Sequence, residues 1–578
     1  MASEITWRIG GKAGSGLVSS GDMFSKVCSR AGYHVYTNRE FHSNIKGLHT
    51  WTSVRISTEK IYSQVKSVDI LVALDQETAD KHSEFLSEGS AIIYDPEHVN
   101  VDESLKEKGV CLCSVPLVKF AKEDGGKKIM QNTVALGATF KLLGFDFDTF
   151  KKAIKAEFSD KKEGIVEANI VSGKKGFDFA EEKTDNFNKK LDEAEDKKER
   201  IFLNGNQATA FGAMQAGCKF MSAYPMTPST GIVATLAKHE KDLDVVIKQT
   251  EDELAAILTA AGAAHSGARA MTGTSGGGFA LMNEGFGMVG SCETPLVVNV
   301  VQRPGPSSGL PTRTGQCDLK YIVNAAPGEV PRIVIAPGDE QDCFYLAAEA
   351  FNLAEKYQIP VLIISDKYLG MNYRNTEMFD ISKIEIDRGK LVSEEEAEKL
   401  EDYKRYELTE DGVSKRVLPG KGPIHITSSY VVDEAGNVDE TPENAEKMLD
   451  KLYKKIPNIL KDLKKPEVVG PEDADVTLIF WGSTKGPVRE AVKLLKKDGI
   501  NVNYVQIVYI NPLQKKEVKE ILENANKTVC IEGNKEGQLA DIIKCKTGLD
   551  VDYRINDYTG RPFYPEDIYE EVKKISND

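Results

Sequence analysis

Long apolar runs are missing from this 578-residue chain. None approaches the roughly 18–20 residues that cross a bilayer as a helix, so no helical membrane anchor is expected. Positive charge is in deficit: 74 Lys and Arg stand against 89 Asp and Glu, a formal charge of −15. Nucleic acid is thereby excluded as the main partner, because neutralising phosphates needs a basic face. A local basic pocket for one anionic ligand is still compatible with that balance. The opening Met1-Ala2-Ser3-Glu4-Ile5 has no basic stretch leading into an apolar one, so secretion is not expected. No CxxC occurs. The nine cysteines (Cys28, Cys111, Cys113, Cys218, Cys292, Cys317, Cys343, Cys530 and Cys545) are odd in number and scattered. That pattern suits free thiols in a reducing cytoplasm, not a disulfide frame. Cys111-Leu112-Cys113 lies in a strand-like run and reads as a pair of buried thiols. No ligand set for a cubane iron–sulfur cluster or a structural zinc is visible.

What is present is enough apolar sequence for real cores, 41% of residues, and a length that implies about three to five domains. The first region, 1–180, alternates strand and helix patterns. Ile5 to Ile9 reads as a strand, Leu17 to Ala31 as a helix, and Ile70–Leu74 and Ala91–Tyr94 as further strands, which points to a parallel α/β sheet. Residues 181–200 carry fourteen charged residues in twenty and read as a solvated linker, partly helical. A second α/β pattern fills 201–380. Its strand candidates are Ile201–Asn206, Val245–Ile247, Ala268–Met271, Leu296–Val301, Arg332–Ile335 and Val361–Ser365. Residues 381–470 are polar and form a connecting arm or insertion. A third α/β unit, 471–578, opens on Val476–Trp481 and continues through Val502–Val508 and Thr528–Glu532. The fold class expected is α/β, in three successive units.

Five segments carry candidate chemistry. Gly10-Gly11-Lys12-Ala13-Gly14-Ser15-Gly16 joins a strand to a helix. Its spacing is not a clean G-x-G-x-x-G, and a tight turn and a phosphate loop both stay open. Tyr224-Pro225-Met226-Thr227-Pro228-Ser229 is a proline-stiffened loop before a helix. Thr227 and Ser229 suit capping that helix, and a rigid loop presenting one hydroxyl equally suits substrate binding. In Gln249-Thr250-Glu251-Asp252-Glu253-Leu254 three acids open an Ala-rich helix, where the helix N-terminus favours negative charge. Glu253 leads into Leu254-Ala255-Ala256-Ile257 and is the one expected to face a packed interface and exchange protons. Nine glycines fall between Gly273 and Gly309, with Thr274-Ser275 before Gly276-Gly277-Gly278. Such density brings backbone close to a flat ligand or another chain. Finally, Arg303 follows a strongly apolar strand, where loops of α/β sheets gather, and its guanidinium matches a carboxylate in two-point geometry. Arg313 reads as a surface cation.

At these residues the chain resembles the thiamine diphosphate-dependent 2-oxoacid:ferredoxin oxidoreductases. It looks like their alpha subunit with a gamma domain fused at the N-terminus. The likeness also rests on Gln302 to Thr312 and on Glu532-Gly533-Asn534-Lys535-Glu536-Gly537-Gln538. It implies a pyrimidine-binding thiamine-enzyme domain at 201–380 and a transketolase C-terminal-like domain at 471–578. It further implies that Glu253 hydrogen-bonds the aminopyrimidine, with Glu251 ranked second, and that Pro225, Thr274, Ser275 and Gly276 line the cofactor. Thr227 and Tyr224 would contact the substrate, Arg303 its carboxylate, and Thr312 the same pocket.

Thiamine enzymes hold the diphosphate through Mg²⁺ and a GDG-type motif, which is absent; Gly338-Asp339-Glu340 reads as a turn. The resemblance therefore implies a beta subunit that supplies the diphosphate site, Mg²⁺ and an iron–sulfur cluster. It also implies coenzyme A as co-substrate, ferredoxin as electron acceptor, a dimer of alpha–beta units and no metal on this chain. The gamma-like region departs from the family pattern in its glycine loop and at Lys46-Gly47-Leu48, where Arg-Gly-Gly is usual. His42 and His49 there read as surface or packing residues. The Tyr-Pro-x-Thr-Pro-Ser form and the fusion point to 2-oxoglutarate or a broad range of 2-oxoacids. A further carboxylate would then need Arg313, Lys46 or a beta-subunit cation. The alternatives are an aromatic, indolepyruvate-type relative and a non-catalytic coenzyme A- or nucleotide-binding scaffold.

Overall fold

In the computed structural model, residues 3–42, 47–123, 126–159, 161–181 and 186–578 are described. Two compact units result. One comprises Met1–Leu203, Asn372–Met378 and Tyr564–Glu566; the other comprises Asn204–Met371, Phe379–Phe563 and Asp567–Asp578. Among the described residues no helix is long and apolar enough to cross a membrane.

The first unit is built on an eight-stranded sheet. Glu4–Lys12, Val68–Ala73, Leu86–Tyr94 and Cys111–Ser114 pair in parallel, as the alternating pattern implies. The other half is antiparallel, because His34–Glu40 and His49–Ser57 pair with each other and with Glu4–Lys12. The sheet is therefore mixed, not parallel throughout. The connection from Glu40 to His49 is too short for the crossover that a parallel pair needs, which is a dozen residues or more. The Gly10–Gly16 segment is half strand: Gly10 and Gly11 pair with Trp51 and Thr50, and only Ala13–Gly16 turns into the helix Leu17–Arg30. His49 is a packing residue, buried with its Nε2 2.9 Å from Nε2 of His82. After the charged stretch's undescribed residues 182–185, the chain runs along this unit. Tyr33 donates to the Asp192 carbonyl, and Ala194 is buried.

The second unit carries two sheets. The larger has seven strands in the order Tyr509–Asn511, Ile333–Ile335, Pro360–Asp366, Leu296–Gln302, Ala270–Thr274, Phe220–Ala223, Val246–Gln249. All pair in parallel except the first. Leu296–Gln302 and Pro360–Asp366 are buried along their whole length. That is why they read as unbroken apolar runs: helices cover both faces of a parallel sheet. The five-stranded sheet is centred on Val476–Phe480, with Val502–Gln506 and Thr528–Glu532 beside it. Tyr509–Asn511, just beyond Val502–Gln506, leaves that sheet to close the edge of the larger one.

Residues 381–470 contain little regular structure before the helices Pro442–Tyr453 and Lys455–Asp462. Buried charge holds the segment down. Lys451 Nζ and Lys455 Nζ lie 2.5 and 2.6 Å from the Glu293 carboxylate, and all three side chains are almost wholly buried. Glu355 is likewise shared by Arg269, Arg388 and Arg416.

Candidate active site

The register of the seven-stranded sheet aligns Thr274 with Val300 and Gln302 with Asp366. The C-terminal ends of three strands thus lie side by side, the edge where parallel sheets place their ligands. Tyr224–Ser229 follows the neighbouring strand Phe220–Ala223 on that same edge. Capping does not account for its hydroxyls. The helix Thr230–Lys238 has no side-chain cap, and Ser229 Oγ instead donates to the Met226 carbonyl at 2.8 Å. The buried amide of Asn206 donates to the Pro228 carbonyl at 2.9 Å and fixes the loop. Tyr224 and Pro225 are exposed and Thr227 is half-buried.

Arg303 leaves the end of Leu296–Gln302, and its Nη1 donates to the Thr227 carbonyl at 2.9 Å. Two of the residues singled out in sequence are therefore physically joined. Burial lowers the Arg303 pKa from its usual value. Thr312 is buried, yet no hydrogen bond joins it to Thr227 or Arg303. Arg313 is not the surface cation expected from sequence. It is 8% exposed, because Thr314 N–H donates to the Gly560 carbonyl and draws the loop inward.

The helix Glu253–His265 divides the labour of its three acids. Asp252 caps it, accepting from Ala255 N–H at 2.8 Å, and Glu251 is exposed. Glu253 is 3% exposed, and its Oε1 is buried with no hydrogen-bond partner. Such an atom carries its full desolvation cost unless something else fills the site. Opposite it lies the glycine run. A Cβ on Gly278 would sit 2.0 Å from Thr274 Oγ1 and 2.5 Å from Glu253 Oε1. Only glycine fits there. Thr274 Oγ1 and Ser275 Oγ are themselves buried and unpartnered. Glu253 and Thr274 thus meet at Gly278 with oxygens that have no partner in the protein, and Ser275 adds a third such oxygen beside Thr274 in the chain.

Asp318 and Gln316 belong to this edge but escape the sequence reading, and Gln302 enters it only as the start of the Gln302 to Thr312 loop. An Asp before a short helix reads as a cap. Gly338-Asp339-Glu340, the nearest approach to a diphosphate motif, is a helix start in which Asp339 caps Glu340–Tyr357. Among the described residues no group of three or more His, Cys, Asp or Glu could hold a metal ion. A cavity of about 850 Å³ lies elsewhere in this unit, between the helix Glu340–Tyr357 and the five-stranded sheet, and includes none of the candidates.

Three families of known proteins match consecutive stretches of the chain. Residues 6–179 match "Pyruvate ferredoxin/flavodoxin oxidoreductase". Residues 211–451 match "Pyruvate flavodoxin/ferredoxin oxidoreductase, thiamine diP-bdg". Residues 474–568 match "Pyruvate:ferredoxin oxidoreductase core domain II". The 2-oxoacid:ferredoxin oxidoreductase subunit alpha of Saccharolobus solfataricus is 33% identical over 99% of this chain and 98% of its own length. The 2-oxoglutarate synthase subunit KorA of Methanothermobacter thermautotrophicus is 33% identical over 65% of this chain and 99% of its own. Among solved structures, the 2-oxoglutarate:ferredoxin oxidoreductase from Magnetococcus marinus, with 2-oxoglutarate, coenzyme A and succinyl-CoA bound, matches with a TM-score of 0.92. It is 34% identical over 99% of this chain and 100% of that one.

Proposed function

The chain belongs to the 2-oxoacid:ferredoxin oxidoreductase alpha subunits, and from that premise we propose that it converts 2-oxoglutarate, or a broad range of 2-oxoacids, with coenzyme A to acyl-CoA and CO₂. Ferredoxin takes the electrons. The observation that carries this reading is the buried, unpartnered Glu253 Oε1 facing a cradle that only glycine leaves open. Unmet oxygens there suit a ligand that brings N–H donors, and the aminopyrimidine of thiamine diphosphate does. When bound, thiamine diphosphate supplies the carbon nucleophile and electron sink for 2-oxoacid decarboxylation. Glu253 holds and exchanges the proton at the pyrimidine ring, with Pro225, Thr274, Ser275 and Gly276 around it. Arg303 pairs with the substrate carboxylate, and its bond to the Thr227 carbonyl keeps the two together. Thr227 Oγ1 donates toward the keto oxygen, with Tyr224 and Thr312 completing the pocket.

A beta subunit completes the site. Leu254, Leu258 and Gly262 form an exposed stripe at helical spacing on the Glu253 helix, and Leu281 is exposed beyond the glycine run. An apolar face beside an unfinished cradle suits a partner chain. That chain carries the diphosphate site, Mg²⁺ and the iron–sulfur cluster, in a dimer of alpha–beta units in the cytoplasm. The further carboxylate of 2-oxoglutarate calls for another cation. Of the two candidates on this chain, Arg313 is buried and Lys46 lies outside the described residues.

Reconstituted with its beta subunit, the chain is expected to reduce ferredoxin with 2-oxoglutarate faster than with pyruvate or indolepyruvate. A preference for aromatic acids would select the other branch of the family, and turnover by the isolated chain would overturn the division of labour. Replacing Arg303 with Ala is expected to raise KM for the 2-oxoacid about ten- to hundredfold, the range for a lost hydrogen bond to a charged group, as read from initial rates.

A further inference from the structure

Asp318 is the unexplained acid of this edge. It occupies the N-cap position of the helix Leu319–Val323, where an Asp ordinarily accepts from the helix backbone, but its side chain makes no such bond. Its Oδ2 is buried without a partner. The carboxyl instead points at Gly276: a Cβ there would lie 2.1 Å from Oδ2 and 2.4 Å from the carboxyl carbon.

The backbone around Asp318 is held unusually tightly. Its own N–H donates to Gln302 Oε1 at 3.0 Å. The Glu532–Gln538 motif grips both sides. Gln316 exchanges backbone and side-chain bonds with Gly533 at 2.8 Å each. Asn534 Nδ2 donates to the Gln316 carbonyl, and Gln538 Nε2 donates to the Cys317 carbonyl at 2.8 Å. Gln538 Oε1 also accepts from Lys320 N–H at 3.0 Å. Glu532 is spent on other partners, accepting from Trp481, Asn534, Leu539 and Ala540. A loop fixed at this many points does not leave a carboxylate oxygen bare for want of alternatives.

We propose that Asp318 is a further cofactor-contacting residue, a carboxylate kept unpartnered beside Gly276 to accept a hydrogen bond from thiamine diphosphate, and that Glu532–Gln538 is the clamp that positions it. The inference rests on the thiamine reading above and assigns the clamp a function no single residue of it suggests. Burial pushes the Asp318 carboxyl up to about 6. The titratable groups facing it, Cys317 and Tyr321, are both pushed up by burial and stay neutral near that pH. Lys320 is engaged with Asp541 and Glu536, and the helix that starts at Gly276 brings no charge. A ligand donor favours the ionised carboxyl, so affinity rises as pH climbs through about 6 and levels off above it.

The test is thiamine diphosphate titration of the cofactor-stripped alpha–beta complex, followed by tryptophan fluorescence between pH 5 and 8. Asp318→Asn is expected to weaken binding about tenfold at pH 7.5 and to remove the step near pH 6, with an unchanged melting temperature. Asp318→Ser serves if the Asn variant fails to fold, with the same expectation. Wild-type affinity and pH profile in a folded variant would overturn the assignment of Asp318. A wild-type complex that binds no thiamine diphosphate would overturn the thiamine reading itself.

Discussion

Replacing Glu253 with Gln is expected to lower 2-oxoacid-dependent ferredoxin reduction by the alpha–beta complex about 10²–10⁴-fold, the range for a lost general acid–base group, with the fold intact. Both halves of that expectation come from the same geometry. The helix does not need Glu253, because Asp252 is its cap. The carboxylate is buried with Oε1 unmet, so an amide of the same shape breaks no hydrogen bond at that oxygen and is expected to leave the fold in place. A side chain that costs stability where it stands is one retained for its chemistry. Gly278→Ala approaches the same point by sterics. The added methyl would meet Thr274 Oγ1 and Glu253 Oε1 at 2.0 and 2.5 Å, and loss of thiamine diphosphate binding is the expected result. Unchanged turnover in Glu253→Gln would instead favour a scaffold that binds coenzyme A without catalysis.

How much of this was legible in the sequence depended on the range of the interaction involved. Leu296–Gln302 and Pro360–Asp366 are legible because burial on both faces leaves an unbroken apolar run. The antiparallel half of the first sheet is not, since His34–Glu40 and His49–Ser57 mix polar and apolar residues while lying largely buried. In the site, the strand-end position of Arg303 is legible, but its bond to Thr227, 76 residues away, is not. Among Glu251, Asp252 and Glu253, the apolar run Leu254–Ile257 singles out Glu253 in the sequence. That Asp252 is the cap and Glu251 the exposed one needs the helix phase. Arg313 fails for the complementary reason: a lone Arg in a Gly- and Pro-rich loop looks solvated until Gly560 draws the loop in. The Glu532–Gln538 motif is recognisable as a string, but its partners at Gln316 to Lys320 lie more than 200 residues away.

Glu293→Gln is expected to destabilise the second unit by about 3–5 kcal/mol, because it strands two buried ammonium groups. Lys451 and Lys455 are 1% and 0% exposed at the side chain, so water cannot replace the lost carboxylate. Arg405 adds its own tie, donating from Nη2 to the Glu293 carbonyl at 2.8 Å. Burial alone would raise the Glu293 carboxyl, but Lys455, Lys451 and Arg405 outweigh it and hold the group down to about 2, against 4.5 in the unfolded chain. A folded pKa below the unfolded one gives stability that is complete above about pH 4.5. It is lost as pH falls below that. Urea midpoints measured from pH 7 to pH 3 should therefore fall in the wild type and fall less in the variant, which starts lower. The cost belongs to the broken group, not to the absence of charge. Replacing all three residues, as Glu293→Gln with Lys451→Met and Lys455→Met, should recover much of the loss, since buried ion pairs exchanged for apolar groups are often neutral. A triple variant as unstable as Glu293→Gln alone would mean that the segment after residue 380 is held by packing and not by these charges.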